Sequence, residues 1–424
     1  MLGVCVTDQA MRRLPMATRY ARTLINAIRR LVRFQIGGRN QRALLIVMLS
    51  PFMPVRSLNE AAQFSGVSKN LVGEVLGVRH PSTALMHLRR NGERRLIAHL
   101  RRLAHADPSV RSRQAVTLCI DDCTRRVRGD MGGLAHPCYS GADKKTVFGL
   151  NIEELVAVIG DGLEVIVLDV RVMLPRHDGP GQQRETLGEW AIAALARINT
   201  AVQRAGLDLR ESYLSVDSAY ANGDMGKAAE ALGLHLVSEI RATWIVTGPL
   251  GLSLPSNVYL WLYDRVHAAD FKPLRGDPGT TYFRHHVDSR VFGQIVVVTF
   301  HFPDEIKHLF TPYTDMMSIT MRRAAKRRWQ IERTFWDLKQ LLGLKMIHQQ
   351  IRSRVLIRIY LAFMHWQAIK DCATEFGITV DAYAKVLRHD PQAVLAEIRL
   401  SSEFVPDLNP SAASVEEIAA SRET

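Results

Sequence analysis

Three acidic residues stand where regular structure would hold a carboxylate rigidly. Asp122 follows a strand-like run at 115–120, and Asp217 follows another at 213–216. Glu332 lies in RRWQIERTFWDLKQLLGL, within a basic segment at 318–342 that reads as one long helix. Strand ends and a helix face are rigid platforms for a site. Three carboxylates so placed suit hard divalent cations, magnesium or manganese. Two such ions about 4 Å apart activate a nucleophile and stabilise the leaving 3′ oxygen in phosphodiester chemistry. A single aspartate after a strand is more often a turn residue or a helix cap. The reading therefore rests on the three together and on what surrounds Glu332.

Arg328 lies four residues before Glu332 and Lys339 seven after it, so the three share one helix face. Trp329, Arg333, Phe335 and Trp336 place aromatic and cationic groups beside that face. Such a mixture suits a nucleic-acid strand as well as it suits packing. Arg328, Trp329, Arg333 and Lys339 are the candidate DNA contacts. Tyr220, with Trp329, is a weaker candidate for stacking or for packing at the rim. His136, Lys144 and Lys145 read as ordinary loop residues, with DNA contact as the alternative.

The elements that must carry these residues are legible in outline. Runs at 115–120, 148–159 and 163–174 read as successive strands, with Asp161-Gly162 as a hairpin turn between the last two. A helix at 184–205, the strand 213–216, a helix at 222–232 and a strand at 235–240 follow. This order predicts an α/β sheet flanked by helices. Residues 241–315 look strand-like, with VYLWLY and QIVVVTF as the clearest runs, and read as a β insertion. Another helix is expected at 354–368. Residues 14–50 read as mostly helical, and 57–76 as a helix-turn-helix with Ser57 and Ser68 as caps, Glu60 at the capping-box offset and Gly66 in the turn. Its second helix would suit a DNA groove; an ordinary helical hairpin is the alternative. The domains expected are a basic helical region at 1–110, a catalytic domain at 111–375 and a helical segment with a loose tail at 376–424.

Composition narrows the function classes. The chain has 424 residues, 47% hydrophobic, and a formal net charge of +13. Residues 1–120 hold 20 Lys+Arg against 5 Asp+Glu, and the remainder 35 against 37. An excess so concentrated favours a polyanionic partner. Five scattered cysteines do not make a secreted scaffold. Cys119, Cys123 and Cys138 with His136 lack the paired spacing of a zinc site. Reduced thiols, no uncharged apolar run long enough to span a membrane and no signal-peptide pattern lead to a cytoplasmic expectation. No P-loop, GxGxxG or HExxH motif is present.

The helix around Glu332 resembles the third-acid segment of DDE transposases from the bacterial insertion-sequence group with the signature Tyr-x2-Arg-x3-Glu-x6-Lys. Arg328, Glu332 and Lys339 match; Ala325 occupies the tyrosine position. IDDCT at 120–124 resembles the first-aspartate block and gives Asp122, with Asp121 its neighbour. SVDSAYAN at 215–222 resembles the second and gives Asp217. The segment from Gly343, GLKMIHQQIRSRVLIRIYLAFM, resembles the helix after the third block. The resemblance spans roughly 115–370. It implies an RNase H-like core with a β insertion, and Asp122, Asp217 and Glu332 as catalytic ligands of two magnesium or manganese ions. It also implies a homodimer in a synaptic complex on double-stranded DNA, holding terminal inverted repeats and target. In such proteins the motif tyrosine contacts terminal phosphates, a contact that Ala325 removes. An inactivated, DNA-binding descendant is the alternative function.

Overall fold

Residues 88–335 are organised around one strand, β1 (Val116–Arg126), whose first half is buried on both faces. The computed structural model describes residues 15–32, 38–77, 80–141, 143–160, 162, 164–174, 187–249 and 251–403. Asp161 of the expected turn, residues 184–186 of the expected helix, the tail 404–424, Cys5 and residues 33–37 lie outside them. Contacts divide the chain into two units, 88–335 and 1–87 with 336–424.

In the first unit β2 (His136–Ser140), β3 (Lys145–Ile159) and β4 (Glu164–Val172) follow β1. β3 runs antiparallel to β1 in unbroken register from Val116 opposite Ile159 to Arg126 opposite Gly149. On its other edge β3 pairs with β2 near its start and with β4 near its end. β5 (Tyr213–Val216) lies parallel to β1, and β6 (His235–Glu239) parallel to β5. Beyond β6 come β7 (Ile245–Thr247), β8 (Ser253–Pro255), β9 (Lys272–Leu274), β10 (Asp277–Ser289), β11 (Gly293–His301) and β12 (Ile306–Thr311). The path across the sheet is β2-β3-β1-β5-β6-β12-β11-β10-β7-β8, with β4 on β3 and β9 on β10. Mixed pairing of this kind with helices on the faces is an α/β arrangement.

The helices before the sheet, in chain order, are α1 (Met16–Val32), α2 (Gly38–Leu49), α3 (Leu58–Phe64), α4 (Lys69–Gly77), α5 (Pro81–Ala104) and α6 (Pro108–Arg113). Those after its first strands are α7 (Leu187–Arg204), α8 (Gly223–Ala231), α9 (Ser256–Val266), α10 (Ser318–Gln340), α11 (Arg352–Glu375), α12 (Val380–His389) and α13 (Pro391–Glu403). Strand alternation sorts β1 onto two helical layers. Val116, Leu118 and Ile120 join the core that contains Trp190, Ala194 and Ile198 of α7 and Leu96 and Leu100 of α5. On the other face Thr117 meets Arg327 of α10, whose Nη1 donates to its Oγ1 at 2.9 Å and to the Ala115 carbonyl at 3.1 Å. Met321 and Ala324 of α10 pack there with Val237, Val296, Val298 and Phe300.

Two expectations need correction. β1 does not end at Ile120 but continues through the aspartates to Arg126, because β3 is long enough to keep the ladder paired. VYLWLY is not a strand but the middle of α9: Tyr259 and Leu260 are buried while Val258, Trp261 and Leu262 face outward. That is helical spacing, which a short apolar run does not reveal by itself.

The second unit is helical. Tyr20 of α1 stacks on Tyr383 of α12 at 4.6 Å, and the Tyr383 hydroxyl donates to the Tyr20 carbonyl at 2.6 Å. Arg22 of α1 pairs with Glu397 of α13 at 2.7 Å. Arg358 of α11 donates to the Val47 carbonyl at 2.6 Å. α3 and α4 form the expected hairpin. Ser57 Oγ accepts from Glu60 N at 3.2 Å, and Gly66 takes a left-handed φ of 66° in the turn. The Glu60 carboxylate reaches back to Arg56 N at 2.6 Å rather than to the Ser57 N of a standard capping box.

Within the first unit, α5 crosses β4 at Gly92 so closely that a Cβ there would lie 2.2 Å from the Val167 carbonyl oxygen. Alanine is otherwise the better helix former by about 1 kcal/mol. Gly92→Ala should nonetheless lower stability by about 2 kcal/mol, since backbone overlap must be relieved by separating helix and strand. An unchanged or higher midpoint in urea unfolding would contradict this packing.

Candidate active site

The α10 helix lays Arg327 and Arg328 along the face of β1, and Arg328 meets carboxylates there. Its guanidinium forms an ion pair with Asp121. Glu332, one turn further on, lies 3.8 Å from the same Nη1. Asp217, Glu332 and Glu239 add their fields to that of Asp121 on this guanidinium. Together they raise the Arg328 pKa although burial opposes them. Asp121 is 13% exposed and Glu332 52% exposed, so the cluster opens from the sheet toward solvent at the helix.

Adjacent residues of a strand face opposite ways, and the two β1 aspartates illustrate it. Asp121 stands opposite Glu154 on the α10 face. Asp122 stands opposite Glu153 on the α7 face. Of the pair, then, it is Asp121 and not the expected Asp122 that meets Arg328. Asp122 takes a hydrogen bond from Asn151 and feels the charge of Asp217; burial is the main cause of its raised pKa. Its backbone N–H donates to Asp121 Oδ1 at 2.9 Å.

Burial dominates the electrostatics. It pushes the Asp121 carboxyl up to about 7, with Asp217 and Asp122 adding to the rise and Arg328 opposing it. Glu154 is fully buried, and among the described residues neither of its oxygens has a hydrogen-bond partner. Burial, reinforced by Asp121, drives its pKa well above the usual range, which keeps the group neutral. On the other face Glu153 rises to about 7 through burial, opposed by its ion pair with Arg171.

Asp217 sits on the first residue of a tightly held loop. The backbone N–H groups of Tyr220 and Ala221 donate to its carbonyl at 2.9 and 3.3 Å. Asn222 caps α8 by accepting from Met225 N at 2.9 Å. Arg241 clamps the loop from outside, donating to the Ser218 and Ala219 carbonyls at 2.5 and 2.6 Å. Tyr220 is fully buried and its hydroxyl donates to Glu153 at 3.3 Å, so it packs and anchors rather than stacks on a ligand. Trp329 is 58% exposed, with Lys307 Nζ 5.8 Å from its ring centroid. Ala325, in the tyrosine position, lines a pocket of about 190 Å³ with Trp329, Phe302, Arg322 and Lys326. Arg333 is exposed on α10. Lys339 lies near the helix end, in the part of α10 that belongs to the other unit.

Sequence reasoning missed Arg241, Asn151, Glu153 and Glu154. No local motif marks them; they join the site only through strand pairing and the return of β6 beside β5. Cys119 and Cys123 are buried in β1, and Cys138 donates its thiol to the Val147 carbonyl. Among the described residues no three Asp, Glu, His or Cys side chains already close around an ion position. The donor chemistry does fit one: hard carboxylates on rigid elements, gathered about a single guanidinium charge.

Arg328→Gln should destabilise the protein more at pH 8 than at pH 5.5. The Asp121 carboxyl, raised to about 7, is mostly neutral at pH 5.5, where its share of the charge facing Arg328 is gone; above 7 it is ionised and relies on Arg328. Thermal midpoints of both proteins at the two pH values test this, and an equal loss at both would contradict the pairing.

Residues 189–366 match the family model of the transposase DDE domain. The matched stretch contains Asp217 and Glu332 and begins after β1. No curated protein matches the chain.

Proposed function

We propose that the protein is a DNA transposase that cuts the ends of an insertion sequence and joins them to target DNA. The observation that carries this reading is the gathering of Asp121, Asp217 and Glu332 about Arg328, with the last three of these residues inside the stretch that matches a transposase DDE domain. The strand order β4-β3-β1-β5-β6, with β3 alone antiparallel to the other four, supports an RNase H-like core. The strands from β7 to β12 fill the place of the β insertion.

Asp121, Asp217 and Glu332 would hold magnesium or manganese, with Asp121 in the role that sequence assigned to Asp122. Bound ions of this class supply Lewis acidity at the scissile phosphate and lower the pKa of water. Asp121 and Asp217 are fixed by backbone at the centre of the sheet, and Glu332 approaches from the helix. Arg328 neutralises the acids and is placed to grip a phosphate by charge-assisted hydrogen bonds. Asp122 supports the site from behind through Asn151. Trp329 and Arg333 present aromatic and cationic surface to the flanking strand, and Lys339 extends the same helix. The helices α3 and α4 read as a DNA-binding hairpin. Double-stranded DNA, a homodimeric synaptic complex and a cytoplasmic location complete the reading. Among the described residues no helix is long and apolar enough to cross a membrane.

Cleavage of element-end DNA with magnesium or manganese tests the assignment. Asp121→Asn and Glu332→Gln should each reduce strand cleavage by at least about a thousandfold while retaining DNA binding. Asp122→Asn should cost far less. The opposite ranking of Asp121→Asn and Asp122→Asn would return the first ligand to Asp122. Near wild-type cleavage by Glu332→Gln would sink the carboxylate set, and a wild type that binds DNA without ever cutting would favour a non-enzymatic binder.

A further inference from the structure

Past the aspartates, β1 and β3 continue as a ribbon with β2, in which Ile152 and Leu150 are still buried and the exposed part begins at Phe148. Unbroken register carries the α10 face of the sheet outward along it. Glu154, Ile152, Leu150, Phe148 and Thr146 alternate onto that face, with Tyr139 of β2 opposite Thr146. Phe148 is 44% exposed and Tyr139 65% exposed, so two aromatic rings face solvent on the side of the sheet that bears Asp121. Six residues of strand separate Phe148 from Glu154, which is about 20 Å.

The charge on the ribbon is arranged for an anion. Arg126, Arg128, Lys144 and Lys145 are all exposed, and among the described residues none of these side chains has an acidic partner. The two nearby acids are occupied by turns: Asp130 accepts from Gly133 N at 2.6 Å and Asp143 from Ser140 Oγ at 2.9 Å. By register Arg126 and Lys145 start from the other face of the ribbon, and at its end they still line one open recess with Arg128 and Phe148. The ribbon is braced, since Thr124 Oγ1 donates to the Tyr139 carbonyl at 2.8 Å and Val127 N to the Phe148 carbonyl at 3.1 Å.

We propose that this ribbon binds single-stranded DNA, with bases stacked on Tyr139 and Phe148 and phosphates held by Arg126, Arg128, Lys144 and Lys145. The inference rests on the DNA-cutting reading for its biological setting and on the ribbon alone for its chemistry. Exposed rings beside unpaired cations favour unstacked bases over duplex, whose bases present no free face.

Fluorescence anisotropy of the full chain with a labelled short oligothymidylate, without added metal, tests it against a duplex of the same length. The doubly substituted protein Tyr139→Ala/Phe148→Ala should bind the oligothymidylate at least about tenfold more weakly and the duplex nearly as wild type does. Arg128→Ala/Lys145→Ala should lower the slope of log affinity against log salt by about 1.4 for the single strand. Circular dichroism checks that both proteins are folded. Unchanged oligothymidylate affinity in the aromatic variant would overturn the proposal. So would equal losses on single strand and duplex, which would make the ribbon a surface for duplex backbone. Failure of the two readings is distinguishable. A protein that binds oligothymidylate through the ribbon but never cuts element ends refutes the transposase alone. One that cuts, yet binds in the aromatic variant as wild type does, refutes the ribbon alone.

Discussion

Gathering carboxylates in a poorly solvated place is expensive, and the site depends on how that cost is met. Burial raises the pKa of Asp121, Asp122, Glu153 and Glu154, and neighbouring carboxylates add to the rise. Arg328 is the compensating charge at the mouth of the cluster, where it pairs with Asp121 and feels Asp217 and Glu332. Glu154 meets the cost differently, by staying neutral behind Asp121. On the far face Arg171 serves Glu153, and Arg89 and Arg197 together hold the fully buried Asp169 at 2.7 and 2.6 Å. Removing one partner of such a buried group leaves an uncompensated charge, commonly worth about 3–5 kcal/mol. The sheet is thus locked to its helices by charge as well as by apolar packing.

That arrangement explains why the β1 strand matters more than its motif. Two adjacent aspartates look interchangeable in a sequence. In a continuous strand they are divided between two layers, one serving the helix that bears Glu332 and the other a buried polar network with Asn151. Which of them faces α10 is set by parity along a ladder with unbroken register, and parity is invisible until the strand's full length and partner are known.

Much of the architecture was legible beforehand. Tyr213–Val216 was read to the residue, and the helices around Gly223–Ala231 and Ser318–Gln340 to within a residue or two. These have clear caps or long periodic patterns. α9 was misread because VYLWLY is apolar without a period, and its outward Val258, Trp261 and Leu262 are known only from the structure. Asp217, Glu332 and Arg328 stand out in the sequence because each sits on a local signature. Arg241, Glu153 and Glu154 were not, because they reach the site from distant strands and nothing near them in the chain announces it. Equally invisible was the packing of α1 against α12 and α13, more than 350 residues away in sequence.

In the basic first quarter of the chain, net charge and available charge are different quantities. Several of its arginines are engaged internally. Arg89 holds Asp169, Arg95 and Arg102 approach Glu164, Arg22 holds Glu397, and Arg42 and Arg111 donate to backbone carbonyls. Charges spent in this way contribute little to the field a polyanion meets at contact distance, since each is offset by a neighbouring acid or shared with a carbonyl. The β1–β3 ribbon lies just beyond that quarter, in the part of the chain whose formal charges nearly cancel. Yet its four exposed cations have no ion-pair partner among the described residues, while its two acids accept hydrogen bonds within turns. Whether a basic residue faces a partner is therefore decided by where the acids are used, and net charge, summed over a segment, does not record that.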